Sequence, residues 1–181
     1  MPTTDPFRLL FVCTANICRS PYAELRARQL LGGTSGITVA SAGLRGYEGN
    51  PMDAEMATQL HLRGGDPSGF SSRPFSGRAL TTSDLVLTFE AEQRKVITET
   101  WPGSDQKVFV WSQFTAALDE IASPAGGLRL VGEVGRAARP ARRAGDIPDP
   151  FGRGMPAAAV CAVQVDRLLQ RTLSALLGGS V

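Results

Sequence analysis

Histidine is almost missing from this chain: its 181 residues include one, His61. Imidazole acid–base chemistry therefore has almost no residues to draw on, and any proton donor is expected to be a carboxylate. His61 itself follows Leu60 near a helix end, where a lone histidine reads as a surface or capping residue. Cysteine is also scarce, and the odd count of three argues against a secreted disulfide scaffold. Cys13 and Cys18 lack the close spacing and second ligand pair of a structural zinc site, and Cys161, set among Val160, Ala162 and Val163, reads as a packed helical cysteine. No metal and no cofactor is expected. No apolar run approaches the length of a membrane span, and the segment from Met1 to Pro6 lacks the basic-then-apolar pattern of a signal peptide. These absences predict a cytoplasmic protein without a membrane partner. The net charge of +2 is too small to suggest nucleic-acid binding.

What is present suits a single domain over 1–181: the length is ordinary, and 43% hydrophobic residues suffice for a substantial core. Strand and helix patterns alternate. Leu9–Val12 is a short, uninterrupted apolar strand, followed by a helix in which Ser20 is the expected N-cap, Pro21 the first position, and Ala23, Ala27, Leu30 and Leu31 the apolar face, up to Gly32-Gly33. Ile37–Ala42 reads as a strand, Pro51–Leu62 as a helix capped by Asn50, Leu85–Phe89 as a strand, Ala91–Thr100 as a helix, Lys107–Trp111 as a fourth strand and Ala157–Leu177 as a long final helix. The alternation predicts an α/β fold: a doubly wound, four-stranded parallel sheet with helices on both faces and a phosphate-binding loop after the first strand. Residues 123–145, rich in Gly, Ala and Arg (Arg129, Arg136, Arg139, Arg142 and Arg143), read as a solvated loop or short helix, with Gly126-Gly127 and Pro140 breaking any long one.

The most telling segment is Cys13-Thr14-Ala15-Asn16-Ile17-Cys18-Arg19-Ser20-Pro21, where the first strand turns into the first helix. Backbone N–H groups of Thr14, Ala15, Asn16, Ile17 and Cys18, together with the positive helix end, can cradle an anion there. The same field favours thiolate over thiol at Cys13. Arg19 offers a planar fork of donors for two phosphoryl oxygens, Ser20 can donate its hydroxyl to the Cys13 sulfur, and Asn16 tolerates the left-handed backbone a tight loop needs. The missing acid is found in Asp146-Ile147-Pro148-Asp149-Pro150, where two prolines stiffen a late loop. Asp149 is preferred to Asp146, which does not precede a proline.

Together, Cys-x5-Arg-Ser near the start and Asp-Pro in a late loop resemble the low-molecular-weight protein tyrosine phosphatases. The resemblance extends to Ser41-Ala42-Gly43, Gly49-Asn50-Pro51 and Ser83–Leu87. It implies a cysteine-dependent protein tyrosine phosphatase acting on phosphotyrosine-containing protein through a phosphocysteine: Cys13 the nucleophile, Arg19 the clamp, Asp149 the general acid, and Asn16, Ser20 and Ser41 the loop support. It further implies that Cys18 forms a reversible disulfide with Cys13 under oxidation. Tyr47 and Phe151 are expected to flank an aromatic leaving group. The partner expected is that protein substrate, with the enzyme a monomer or weak dimer.

Two departures from the family pattern bear on the reading. Many relatives place a histidine near Phe70, so loop support is expected to be weaker here. Relatives that hydrolyse phosphoarginine tend to carry threonine where this chain has Ile17, and the apolar Ile17 favours phosphotyrosine. The rival functions are arsenate reduction with a small-thiol partner, since Thr81 to Gln93 lacks the cysteine pair of thioredoxin-coupled reductases, and a phospho-ligand-binding module with little turnover.

Overall fold

A computed structural model describes residues 5–33, 36–121, 126–137 and 145–179. Strands β1 (Phe7–Cys13), β2 (Ile37–Gly43), β3 (Leu85–Thr88) and β4 (Val108–Val110) form one parallel sheet in the order β2-β1-β3-β4. The helices are α1 (Arg19–Leu31), α2 (Ala54–His61), α3 (Gly77–Thr82), α4 (Ala91–Thr100), α5 (Trp111–Leu118), α6 (Gly127–Ala137) and α7 (Gly154–Leu176). This is the doubly wound parallel architecture the alternation predicted.

The apolar run of β1 is continuous because both of its faces are covered. Leu9, Phe11 and Cys13 point into a core shared with α1, α2, α5, α6 and α7, while Leu10 and Val12 point to the opposite side, towards Leu80 of α3 and Ile97 of α4. Trp111 anchors the larger core. It is fully buried, packs against Phe11 and Phe89 at centroid distances of 4.6 and 5.5 Å, and donates its indole N–H to Thr172 Oγ1 on α7 at 2.9 Å. The chain leaves β1 towards β2 on one side and later crosses to β3 on the other. The β1–α1 connection and the end of β3 therefore meet at the switch point of the sheet, the crevice where such folds bind ligands.

Several boundaries differ from the sequence reading. Helix α1 starts at Arg19 with Cys18 as N-cap, not Ser20, because the Ser20 hydroxyl is drawn to the Cys13 sulfur instead of the helix end. Helix α2 starts at Ala54, and its cap is Asp53, whose Oδ1 accepts the Met56 N–H at 3.1 Å; Asn50 lies in the preceding loop. Leu30 is on the exposed side of α1. β4 stops at Val110, and Trp111 opens α5, which the sequence reading missed along with the short α3. The final helix begins three residues early, at Gly154, and leaves Val160 and Val163 exposed.

Within residues 123–145 the structure has the short helix, one of the two readings the sequence left open. Gly126 and Gly127 adopt positive φ of 73° and 48° and bound α6 at its start, and the helix ends at Ala137. That helix buries Leu130, Val131 and Val134 in the main core, so this part of the segment is not a solvated loop. Arg139, Arg142, Arg143 and Pro140 lie outside the described residues. No helix among the described residues is long and apolar enough to cross a membrane. The packing of α6 gives a direct test by urea unfolding. Leu130→Ala, at a site 0% exposed, should cost about 2–5 kcal/mol, whereas Leu128→Ala, 65% exposed, should cost less than about 0.5 kcal/mol. Equal small losses would mean that α6 does not belong to the core.

Candidate active site

The loop from Cys13 to Arg19 closes on itself around the Cys13 sulfur. Sγ receives the Asn16 backbone N–H at 3.3 Å and lies 3.0 Å from Ser20 Oγ. Reaching back requires a reversal of the chain, and Asn16 supplies it at φ 57°, the one non-glycine positive φ among the described residues. Its carboxamide is fixed at both ends: Nδ2 donates to Ser20 Oγ at 2.9 Å and Ser41 Oγ at 2.8 Å, while Oδ1 accepts the Arg73 N–H at 2.8 Å. The N-cap Cys18 makes no side-chain bond to the helix end, so the first-turn donors of α1 are left to an anion.

The surrounding backbone is close-fitted. Leu44 and Arg45 donate their N–H groups to the Cys13 and Thr14 carbonyls at 3.0 and 2.8 Å. A Cβ on Gly43 would stand 2.7 Å from the Ala15 carbonyl carbon and 2.8 Å from the Asn16 nitrogen, so glycine is required there by contact with backbone. The Ile17 carbonyl accepts the Asp53 N–H at 2.8 Å, which ties the loop to the entrance of α2.

Arg19 is 1% exposed. Its Nη1 donates to Glu90 and to the Ile147 carbonyl, the latter at 2.9 Å, and its Nη2 donates to Asp149 Oδ2 at 2.8 Å. Burial opposes its charge, but the Glu90 hydrogen bond and the charges of Cys13, Asp149 and Glu90 outweigh burial and raise its pKa. Arg19 Nε is buried with no partner among the described residues, so its N–H is a donor available to a ligand oxygen.

Asp149 reaches this point because the segment before it is pinned. Asp146 Oδ1 accepts the Ala91 N–H at 2.8 Å, at the start of α4, and the Ile147 N–H bonds the Phe89 carbonyl at 2.9 Å. Asp146, the rival acid, is thus engaged away from the cradle. Phe151, 59% exposed, donates its N–H to Asp149 Oδ1 at 3.2 Å. Tyr47, 71% exposed, lines a surface recess of about 350 Å³ with Ile17, Asn50, Pro51, Met52 and Asp53; Phe151 is not among its walls.

Cys13, Cys18 and Cys161 are all free and buried. Burial, reinforced by the Asp53 carboxylate, pushes the Cys18 thiol up, and burial pushes Cys161 up to about 12. His61 ends α2 on the exposed surface, away from these contacts.

The sequence reading missed four residues that shape the site. Glu90 pairs with Arg19. Gln93 accepts the Phe89 and Glu90 N–H groups and donates to Thr14 Oγ1 at 3.2 Å. Glu24 and Arg73 stand behind Ser41 and Asn16. A signal existed for the first pair: Glu90 and Gln93, three apart and directly after an apolar strand, form a capping box at the sheet edge where ligands bind. For Glu24, the clue was a charge on the face of α1 shared with Ala23 and Ala27.

Known proteins resemble this chain in sequence and in fold. A family model described as low molecular weight phosphotyrosine protein phosphatase matches residues 8–129. A protein-arginine-phosphatase of Geobacillus stearothermophilus is 35% identical over 137 residues, 74% of this chain and 87% of that protein. The low molecular weight protein-tyrosine-phosphatase Ptp of Acinetobacter johnsonii is 34% identical over 101 residues, 56% and 69% of the two chains. Among solved structures, the YwlE arginine phosphatase from Geobacillus stearothermophilus has the same fold, with a TM-score of 0.75 at 24% identity over 93% of this chain and 92% of that one. The stretch matched by the family model runs from β1 into α6 and includes the whole cysteine loop, and the chain belongs to the low molecular weight phosphotyrosine protein phosphatase family.

Proposed function

We propose that the protein hydrolyses phosphotyrosine on protein substrates through a phosphocysteine, with Cys13 as nucleophile, Arg19 as phosphate clamp and Asp149 as general acid and then base. The observation that carries this reading is the convergence of three groups: a cysteine sulfur bonded by a backbone N–H, a buried guanidinium with a spare Nε, and a carboxylate 2.8 Å from that guanidinium.

The Cys13 thiolate attacks phosphorus as the bond to the aryl oxygen breaks, and Asp149 gives its proton to the departing oxygen. Water then attacks the phosphocysteine, Asp149 takes up a water proton, and inorganic phosphate leaves with the thiolate restored. Loop N–H groups and Arg19 hold the phosphoryl oxygens throughout, and these supply the stabilisation that positioning alone does not. A phosphoryl oxygen at Arg19 competes for Nη2 and so frees the Asp149 carboxyl for the leaving group.

The recess beside the loop supports an aryl substrate, because Ile17, Tyr47, Pro51 and Met52 offer apolar walls to a ring. A second reading, phosphoarginine, draws support from the named activity of the 35%-identical relative and from Asp53, the one acid among the described residues lining the recess. Asp53 is already engaged as the α2 cap, which favours the aryl reading. Arsenate reduction through protein thiols lacks a cysteine between residues 81 and 93.

Hydrolysis of an aryl phosphate and of a phosphotyrosine peptide, without added metal, tests the proposal. Cys13→Ser should abolish turnover, and Asp149→Ala should lower kcat by about 10²–10⁴-fold. No turnover by folded, reduced wild type would overturn the reading and leave phospho-ligand binding. To separate the substrates, Ile17→Thr should raise the kcat/KM ratio of phosphoarginine to phosphotyrosine peptide about tenfold. An unchanged ratio would remove Ile17 as the selector.

A further inference from the structure

Glu24 is 1% exposed, and no step of the proposed chemistry touches it. A carboxylate so deeply buried persists only where charges and donors surround it. Its Oε1 pairs with Arg28 Nη2 one helical turn on, and its Oε2 takes both Arg73 Nη2 and the Ser41 hydroxyl. The two residues sharing Oε2 also grip opposite ends of the Asn16 carboxamide, Ser41 with the same hydroxyl and Arg73 with its backbone N–H, which the guanidinium's pairing with Glu24 holds in place. Ser41 Oγ accepts from Nδ2, and the Arg73 backbone N–H donates to Oδ1, both at 2.8 Å.

Proton directions follow from the chemistry of the partners. The Arg73 N–H only donates, so Oδ1 faces it and Nδ2 faces Ser41 and Ser20. Ionised Glu24 only accepts, so Ser41 gives it the hydroxyl proton and receives one from Asn16. Ser20 likewise receives from Asn16, which leaves its own proton to give; Cys13 Sγ at 3.0 Å is the nearer acceptor and the Ala42 carbonyl at 3.4 Å the farther. The arginine side chain also lies over the Phe70 ring at 5.8 Å, at the point where sequence reasoning expected thin support for the loop.

We propose that Glu24 and Arg73 are positioning residues for the nucleophile: as an ion pair behind the loop they hold Asn16 in its left-handed turn and keep the donors of Asn16 and Ser20 on the Cys13 sulfur. This rests on the reading of Cys13 as nucleophile. Arg28 provides an internal control. It shares Glu24 and is similarly exposed, but its other hydrogen bonds go to the Val39 carbonyl and none reaches the loop.

The test is the rate at which iodoacetamide alkylates Cys13 near neutral pH, followed by mass spectrometry, together with kcat and KM. Cys18 and Cys161 interfere little, because burial keeps both as thiols at that pH. Arg73→Ala should slow alkylation and lower kcat about tenfold, with KM changed less, and Arg73→Lys should recover most of both. Arg28→Ala should leave both within about twofold. The Glu24→Ala, Arg73→Ala double variant should be no slower than the worse single one, as expected for residues acting as one unit. If Glu24→Ala fails to fold, the half-exposed Arg73 and Arg28 sites decide the matter. Wild-type alkylation and kcat in Arg73→Ala, or equal damage from Arg28→Ala, would overturn the proposal. Slowed alkylation in a protein that hydrolyses neither peptide would uphold the positioning role while sinking the phosphatase reading, since alkylation needs no substrate.

Discussion

Burying the Arg19 guanidinium sets the terms for the rest of the site. A charge with 1% exposure must be matched from inside the protein, and the matching groups come from two places: Glu90 beyond β3, and the late loop with the Ile147 carbonyl and Asp149. Strand order makes this possible, because β1 and β3 are neighbours and their carboxyl ends open on the same crevice. The pinning of Asp146 and Ile147 to the start of α4 and the end of β3 then brings the late segment to the guanidinium. One side chain thereby holds together segments more than a hundred positions apart in sequence.

On the other side of the loop the constraint is conformational. Asn16 holds a left-handed backbone angle that a side chain rarely adopts, and neighbours on α1, β2 and the loop before α3 keep it there. The sulfur therefore sits between two differently built supports, one electrostatic around Arg19 and one of directed hydrogen bonds around Asn16. Gly43 lets β2 approach the loop closely enough for the second support to form.

Much of this was legible in the sequence where chemistry and local backbone coincide. The unbroken apolar run before Cys13 fixed a buried strand, Asn16 was read as the left-handed residue, and the proline-stiffened loop pointed to Asp149 over Asp146. The misses share a physical cause: they depend on what a side chain meets far along the chain. Ser20 is a good cap by composition but is claimed by the Cys13 sulfur, and Asn50 lost its helix to Asp53, which sits where its carboxylate can accept the Met56 N–H. Gly126-Gly127 bounds a short helix as expected, but the choice of helix over solvated loop rests on the core that Leu130, Val131 and Val134 enter. Glu24 and Arg73, forty-nine positions apart, carry no local signature of their contact.

The placement of Asp149 after β4 and α6, directly ahead of α7, has a consequence for a chain made from its amino end. Synthesis delivers the cysteine loop, its β2 and β3 neighbours and Glu90 well before Asp149 emerges, and α7 comes later still. Until α7 docks, the core positions it covers, Trp111 among them, stay uncovered and prone to aggregation or capture by quality control. Arg19 therefore waits for one of its partners, Asp149, until most of the chain has been made, and the helix that follows that carboxylate is also what closes the core.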